Sequence, residues 1–128
     1  MELRGLEIVY ETEKVEKLCT SLKAAKRFFG GDERIARSLL ARINSLAEAP
    51  TIRDIVVQKP LHFHNLTSKG KRDLRGYFAI DIAGRKSPWR LVIQPLDENK
   101  EPFDPCNIDE ISDIVEVVGI LEVSNHYE

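Results

Sequence analysis

This chain has no stretch near the roughly 18 consecutive apolar residues that a membrane-spanning helix needs, which argues against a helical membrane span. Its start, MELRGLEIVYETEK, alternates charged and apolar residues where a secretion signal would place a basic start and a long apolar run, so the expected location is the cytoplasm. Cysteine is scarce. Cys19 and Cys106 stand far apart in no CxxC or Cys/His spacing, and thiols in a reducing compartment are expected to stay unpaired. A phosphate-cradling loop is also absent, because GRK (84–86) and KGKR (69–72) lack the GxxxxGK[ST] frame. No internal repeat or low-complexity tract occurs, and 128 residues suit one domain, 1–128, with its own core.

Charge is abundant and segregated. Residues 53–90 hold nine Lys/Arg against three acids, a local balance of +6, whereas ten acids after residue 96 face only Lys100, and the whole chain stands at −2. The cationic stretch also contains two of the three histidines, in HFHNLTSKGKRDLRGYFAIDIAGRKSPWR (62–90). Any chemistry is expected to centre there.

Periodicity gives the organisation. Leu6–Tyr10 reads as an opening strand. Val15, Leu18, Leu22, Ala25 and Phe29 recur at helical spacing until Gly30-Gly31, and Asp32 then caps a second helix carrying Ile35, Leu39, Ile43 and Leu46 as far as Pro50. The two predict an αα-hairpin. Ile52, Ile55, Val56 and Val57 predict an extended segment. In Tyr77–Ile82 the residues Phe78, Ile80 and Ile82 share one face and Tyr77, Ala79 and Asp81 the other, and Trp89–Gln94 repeats the alternation. These two segments predict a β-hairpin closed by a five-residue loop, 84–88, with Trp89, Leu91 and Ile93 inward and Arg90 outward. The acid-rich span 97–113 predicts an exposed loop, and 114–123, apolar nearly throughout, a central strand. The order implies an α+β fold: an N-terminal strand and a helical hairpin packed on a mainly antiparallel sheet of four to five strands. Tyr77, Asp81 and Arg90 are then expected on the face the helices leave open.

Several residues on or near that face invite chemistry. His62 and His64, two apart, share one side of an extended segment, where they are either solvated loop histidines, an acid/base pair, or two ligands of a metal needing a third from His126, a cysteine or a carboxylate. No metal or other cofactor is expected. Lys69, Lys71, Arg72 and Arg75 form a basic cluster that is either solvated surface or an attractor for a polyanion, with Tyr77 placed to stack on a base. His126 and Tyr127, directly after the last strand, are either a frayed terminus or part of a site.

The helix pair ending in SLAEAP (45–50), His64-Asn65-Leu66, the Gly76–Ile80 strand, the Trp89–Ile93 strand and the closing apolar strand with an aromatic/His motif follow one another over residues 6–127. In that order and spacing the chain resembles HigB/RelE-type toxins of type II toxin-antitoxin systems, in the RelE/ParE superfamily. The resemblance implies a sheet that cradles RNA on one side and carries helices on the other. It also implies a ribosome-dependent mRNA endonuclease acting by metal-free attack of a ribose 2′-OH, with ribosome and mRNA as partners, and a cognate antitoxin of helix-turn-helix type. Carried over residue by residue, it makes His64 the general acid or base, with His62 as the registry alternative. Arg90 becomes the stabiliser of the strained phosphate, Lys69 or Lys71 phosphate contacts, and His126 and Tyr127 the closing catalytic motif. Where the family pattern ends Asp-Tyr-His, this chain has Asn125-His126-Tyr127, and the amide of Asn125 cannot act as a base. The alternative is a non-catalytic member of the superfamily that binds a protein target such as DNA gyrase, or only its antitoxin.

Overall fold

The computed structural model describes residues 5–66 and 76–125. Thr12 opens α1 (Glu13–Thr20) by accepting from the Val15 amide at 3.1 Å. The expected single helix then breaks at Ser21, whose extended backbone ends α1 and whose hydroxyl accepts from the Ala24 amide to start α2 (Leu22–Phe28). Gly30 and Gly31, at φ of 66° and 94°, make the left-handed turn into α3 (Glu33–Glu48), capped by Asp32 as expected. α3 buries Ala36, Leu39, Ile43 and Leu46 along one stripe.

The strands are β1 (Glu7–Tyr10), β2 (His64–Asn65), β3 (Phe78–Asp81), β4 (Arg90–Leu96) and β5 (Val117–Ser124). They form one mixed sheet in the order β1-β5-β4-β3-β2, with β1 parallel to β5 and the other pairs antiparallel. The architecture is α+β. Phe78, Ile80, Ile82, Leu91, Ile93, Val118 and Ile120 meet the helical stripe in the main core, and a smaller cluster of Leu66, Ala79 and Val92 lies on the other side of the sheet. Among the described residues no helix is long and apolar enough to cross a membrane.

Beyond the break at Ser21, four further expectations are corrected. The segment after Pro50 is not extended: Arg53–Val56 forms a one-turn helix, α4, because the Ile52 and Arg53 amides donate to the carbonyls of Val115 and Ser112, long-range partners that override β-branched propensity. Regular β3–β4 pairing stops at Asp81–Arg90, so the link is the eight residues 82–89, bridged by one long Ile82-to-Trp89 bond of 3.4 Å. The acid-rich span is not all exposed loop: Asn107 caps a short helix, α5 (Ile108–Ile111), and Phe103, Cys106, Ile108 and Ile111 pack on the core. The closing strand starts only at Val117, leaving Ile114 63% exposed outside it.

Candidate active site on the helix-free face

Residues directly opposite one another in a sheet share a face, so register says what meets what. On the side away from the helices one row runs His64, Ala79, Val92, Glu122 across β2, β3, β4 and β5, and the next holds Asp81, Arg90 and Ser124. The pairing shifts between Val92 and Ile93, and this bulge puts Leu121 against the Ala79–Val92 cluster beside Glu122. Tyr77 packs there too, half-buried, and its carbonyl accepts from the Leu66 amide at 3.1 Å.

Asp81 is the hub of the second row. Its side chain is 0% exposed, with Oδ1 3.1 Å from Arg90 Nε and 3.4 Å from His62 Nδ1. A buried carboxylate persists only where cations or donors compensate it. The Arg90 contact is electrostatic: Nε approaches Oδ1 closely but without hydrogen-bond alignment, and Asp81 Oδ2 has no hydrogen-bond partner among the described residues. The rest of the guanidinium is held by the 82–89 link, donating to the carbonyls of Ser87, Trp89 at 2.9 Å and Arg85 at 3.4 Å. Asp81 and Arg90 therefore lie on the open face as expected, but both are buried, because each neutralises the other.

His62 arrives by a different route. The 3₁₀ turn Lys59–Leu61 ends at His62, which takes a left-handed backbone, φ 50° and ψ 53°. A side chain other than glycine holds that conformation only when its surroundings fix it, and such positions concentrate at functional sites. Here it brings the imidazole to Asp81 and stacks it on His64, ring centres 4.4 Å apart and planes 27° apart. The His64 Nδ1–H donates to the His62 carbonyl at 2.7 Å, and the acceptor facing His62 Nδ1 is a carboxylate. These acceptors select the tautomer protonated on Nδ1, so that Nε2 is the basic nitrogen whenever a ring is neutral.

The structure thus brings His62, His64 and Arg90 together around Asp81 and sets Tyr77 on the same face. Lys69, Lys71, Arg72, Arg75, His126 and Tyr127 lie outside the described residues. Asp81 was not among the sequence candidates. Its signal was an acid on the open-face phase of an apolar strand, in register with an arginine across the hairpin. Beside Asp81 a cleft of about 560 Å³ opens between α3 and the 82–89 link, with Arg34, Ser38 and Arg42 on one wall and Ala83, Gly84 and Ser87 on the other. Among the described residues no three His, Cys, Asp or Glu side chains gather as a metal site. Comparison with protein-family models, with curated proteins and with solved structures finds no match.

Proposed function

We propose that the chain is the toxin of a type II toxin-antitoxin system and a ribosome-dependent mRNA endonuclease, cutting by metal-free 2′-OH attack on the helix-free face. The observation that carries this reading is the pair of stacked imidazoles, one oriented by a buried carboxylate and the other by a backbone carbonyl. Metal-free cleavage of RNA needs a base to take the 2′-OH proton and an acid to protonate the departing 5′-oxygen. His62 and His64 supply two groups of that kind within one ring-stacking distance: one ring, neutral, takes the 2′-OH proton on Nε2, and the other, as imidazolium, gives its Nε2 proton to the 5′-oxygen. Asp81 holds His62 in the tautomer whose Nε2 can accept, as an orienting carboxylate does in hydrolytic triads. Arg90 is proposed as a positioning residue: its guanidinium steadies Asp81 and the 82–89 link instead of reaching a phosphate. Arg34 and Arg42 line the cleft beside Asp81, and Arg85 and Lys86 are exposed on the 82–89 link, so cations border the array.

The test is expression of His62→Ala, His64→Ala and the double variant beside wild type, with growth and primer extension on translated mRNA as readouts. Each single change is expected to lower cleavage by about 10²–10⁴-fold, the usual share of one acid or base. Full cleavage by the double variant would refute the reading. The non-catalytic alternative draws on the β1–β5 half of this face, where Glu11 lies and Glu7 pairs with Lys100 at 3.1 Å, a mixed-charge surface of the kind a protein partner covers. Toxicity that survives in the double variant without cleavage products favours it.

A further inference from the structure

On the opposite side of the molecule α1 and α2 enclose a groove of about 300 Å³ floored by Leu18, Ala24 and Phe28 and rimmed by Lys14, Lys17 and Arg27. Phe28 is 41% exposed there, a large apolar side chain left open on a helical surface. The three cations have no acidic partner among the described residues, whereas neighbouring Lys26 is paired with Glu33 at 3.6 Å. The sign is sorted on α1 itself: Glu13 and Glu16 turn toward β1, and Lys14 and Lys17 turn toward α2. An apolar floor between unmatched cations is complementary to an amphipathic helix whose polar flanks are acidic.

We propose that this groove docks an acidic amphipathic helical segment of a partner protein, with one apolar side chain seated on Phe28 and carboxylates over Lys14, Lys17 and Arg27. α1 and α2 span eight and seven residues, so the groove accommodates about two turns of such a helix. A second copy of this chain is a poor occupant. Its acid-rich span forms only a four-residue helix, and Asp113 there is already committed to Arg53 at 2.9 Å. The proposal does not rest on the nuclease reading, because its readout is binding alone.

The lone tryptophan reports on the groove. Trp89 packs edge-on against Phe28 and Phe29 with ring centres 5.5 and 5.0 Å apart, so covering Phe28 changes its surroundings. The probe is a synthetic, tryptophan-free helical peptide of roughly 18 residues, long enough to hold a helix. It carries leucine at i, i+3, i+4 and i+7 and glutamate on both flanks, and is titrated into the full chain at low salt while Trp89 emission and heat are followed. A saturable change is expected, weakened by added salt and weakened roughly tenfold or more by Lys17→Glu with Arg27→Glu, two exposed changes that leave the fold intact by circular dichroism. Phe28→Ala should weaken the heat signal likewise. Equal binding of a scrambled peptide or of polyglutamate would overturn the proposal, as would unchanged affinity in the charge-reversed variant. Trp89 emission that shifts with protein concentration alone would assign the groove to a second copy and overturn it too.

Discussion

Replacing Arg90 by methionine keeps the length and apolar stem of the side chain while deleting its guanidinium, and Asp81 then stays in place without its principal counter-charge. At 3.1 Å between Nε and Oδ1, an effective dielectric of about 20 gives a gross attraction of roughly 5 kcal/mol. Desolvation of both groups offsets much of that in the intact pair, but a lone buried partner keeps the desolvation cost and loses the attraction, which typically amounts to ~3–5 kcal/mol. Arg90→Met should therefore lower unfolding stability by about 3–4 kcal/mol, with three loop carbonyls losing a donor as well. Asp81→Asn should cost less, near 2 kcal/mol, because the amide oxygen still accepts from His62 and Arg90 keeps its carbonyls. The double change Asp81→Leu with Arg90→Met removes both charges, so most of the Arg90→Met loss should return. Urea unfolding followed by Trp89 fluorescence gives all values on one scale, with a constant m-value as the check that one transition is being compared. A loss below about 1 kcal/mol for Arg90→Met, or a double variant no more stable than Arg90→Met, would refute the account of a mutually neutralising buried pair.

Gly5 meets α3 so closely that a Cβ there would fall inside the Ala47 carbonyl; Gly5→Ala should lose about 3 kcal/mol or more, and an unchanged melting temperature would refute the contact. Burial pushes the Cys19 thiol up to about 12, so at pH 8 almost none of it is thiolate. Iodoacetamide should label Cys19 in the folded chain at least about a hundredfold more slowly than in urea, with native labelling rising only as pH approaches that value. Phe28 and Arg90 are linked through Trp89, whose ring meets one and whose carbonyl accepts from the other. A double-mutant cycle of Phe28→Ala and Arg90→Met should show a coupling of about 0.5 kcal/mol or more, and strict additivity would mean that the groove and the helix-free face are independent.

Much of the scaffold was legible because local signals and tertiary packing agree in it. α3 is the clearest case: Asp32 caps it, Ile35, Leu39, Ile43 and Leu46 mark its buried side, and the structure adds only Ala36 to the stripe. The phase of β3 and β4 was equally readable, with Phe78, Ile80, Ile82, Leu91 and Ile93 all reaching the main core. Expectation and structure part where two signals compete along the chain. The apolar period runs unbroken from Val15 to Phe29, but Ser21 sits inside it, and a serine that can cap a new helix competes with continuing the old one. In 97–113 the acids dominate the composition, yet Phe103, Ile108 and Ile111 are spaced so that the acids stay in water while the apolar side chains reach the core. For α4 no local signal sufficed, since the carbonyls that hold Ile52 and Arg53 belong to residues some sixty positions away.

The candidate site was legible in its residue types but not in its connections, and the reason is geometric. Histidines two apart in an extended segment predict a shared side, but not a left-handed backbone at the first of them, and that backbone brings His62 to Asp81. Arginine on the open-face phase of β4 predicts a cation available to ligand; register, however, sets it opposite an aspartate, and two opposite charges that close cannot both stay solvated without surrendering the contact. Pairing then buries both, and the guanidinium becomes part of the wall that fixes the carboxylate. What the open face can offer a reacting group follows from that exchange: the permanent charge is spent inside the protein, and the groups left nearer solvent are the two imidazoles, with His62 retaining 31% side-chain exposure against 9% for Arg90. A site built in this way depends on imidazoles held against a fixed buried carboxylate, so the proposed chemistry should fail with the histidines and the architecture with Asp81 and Arg90.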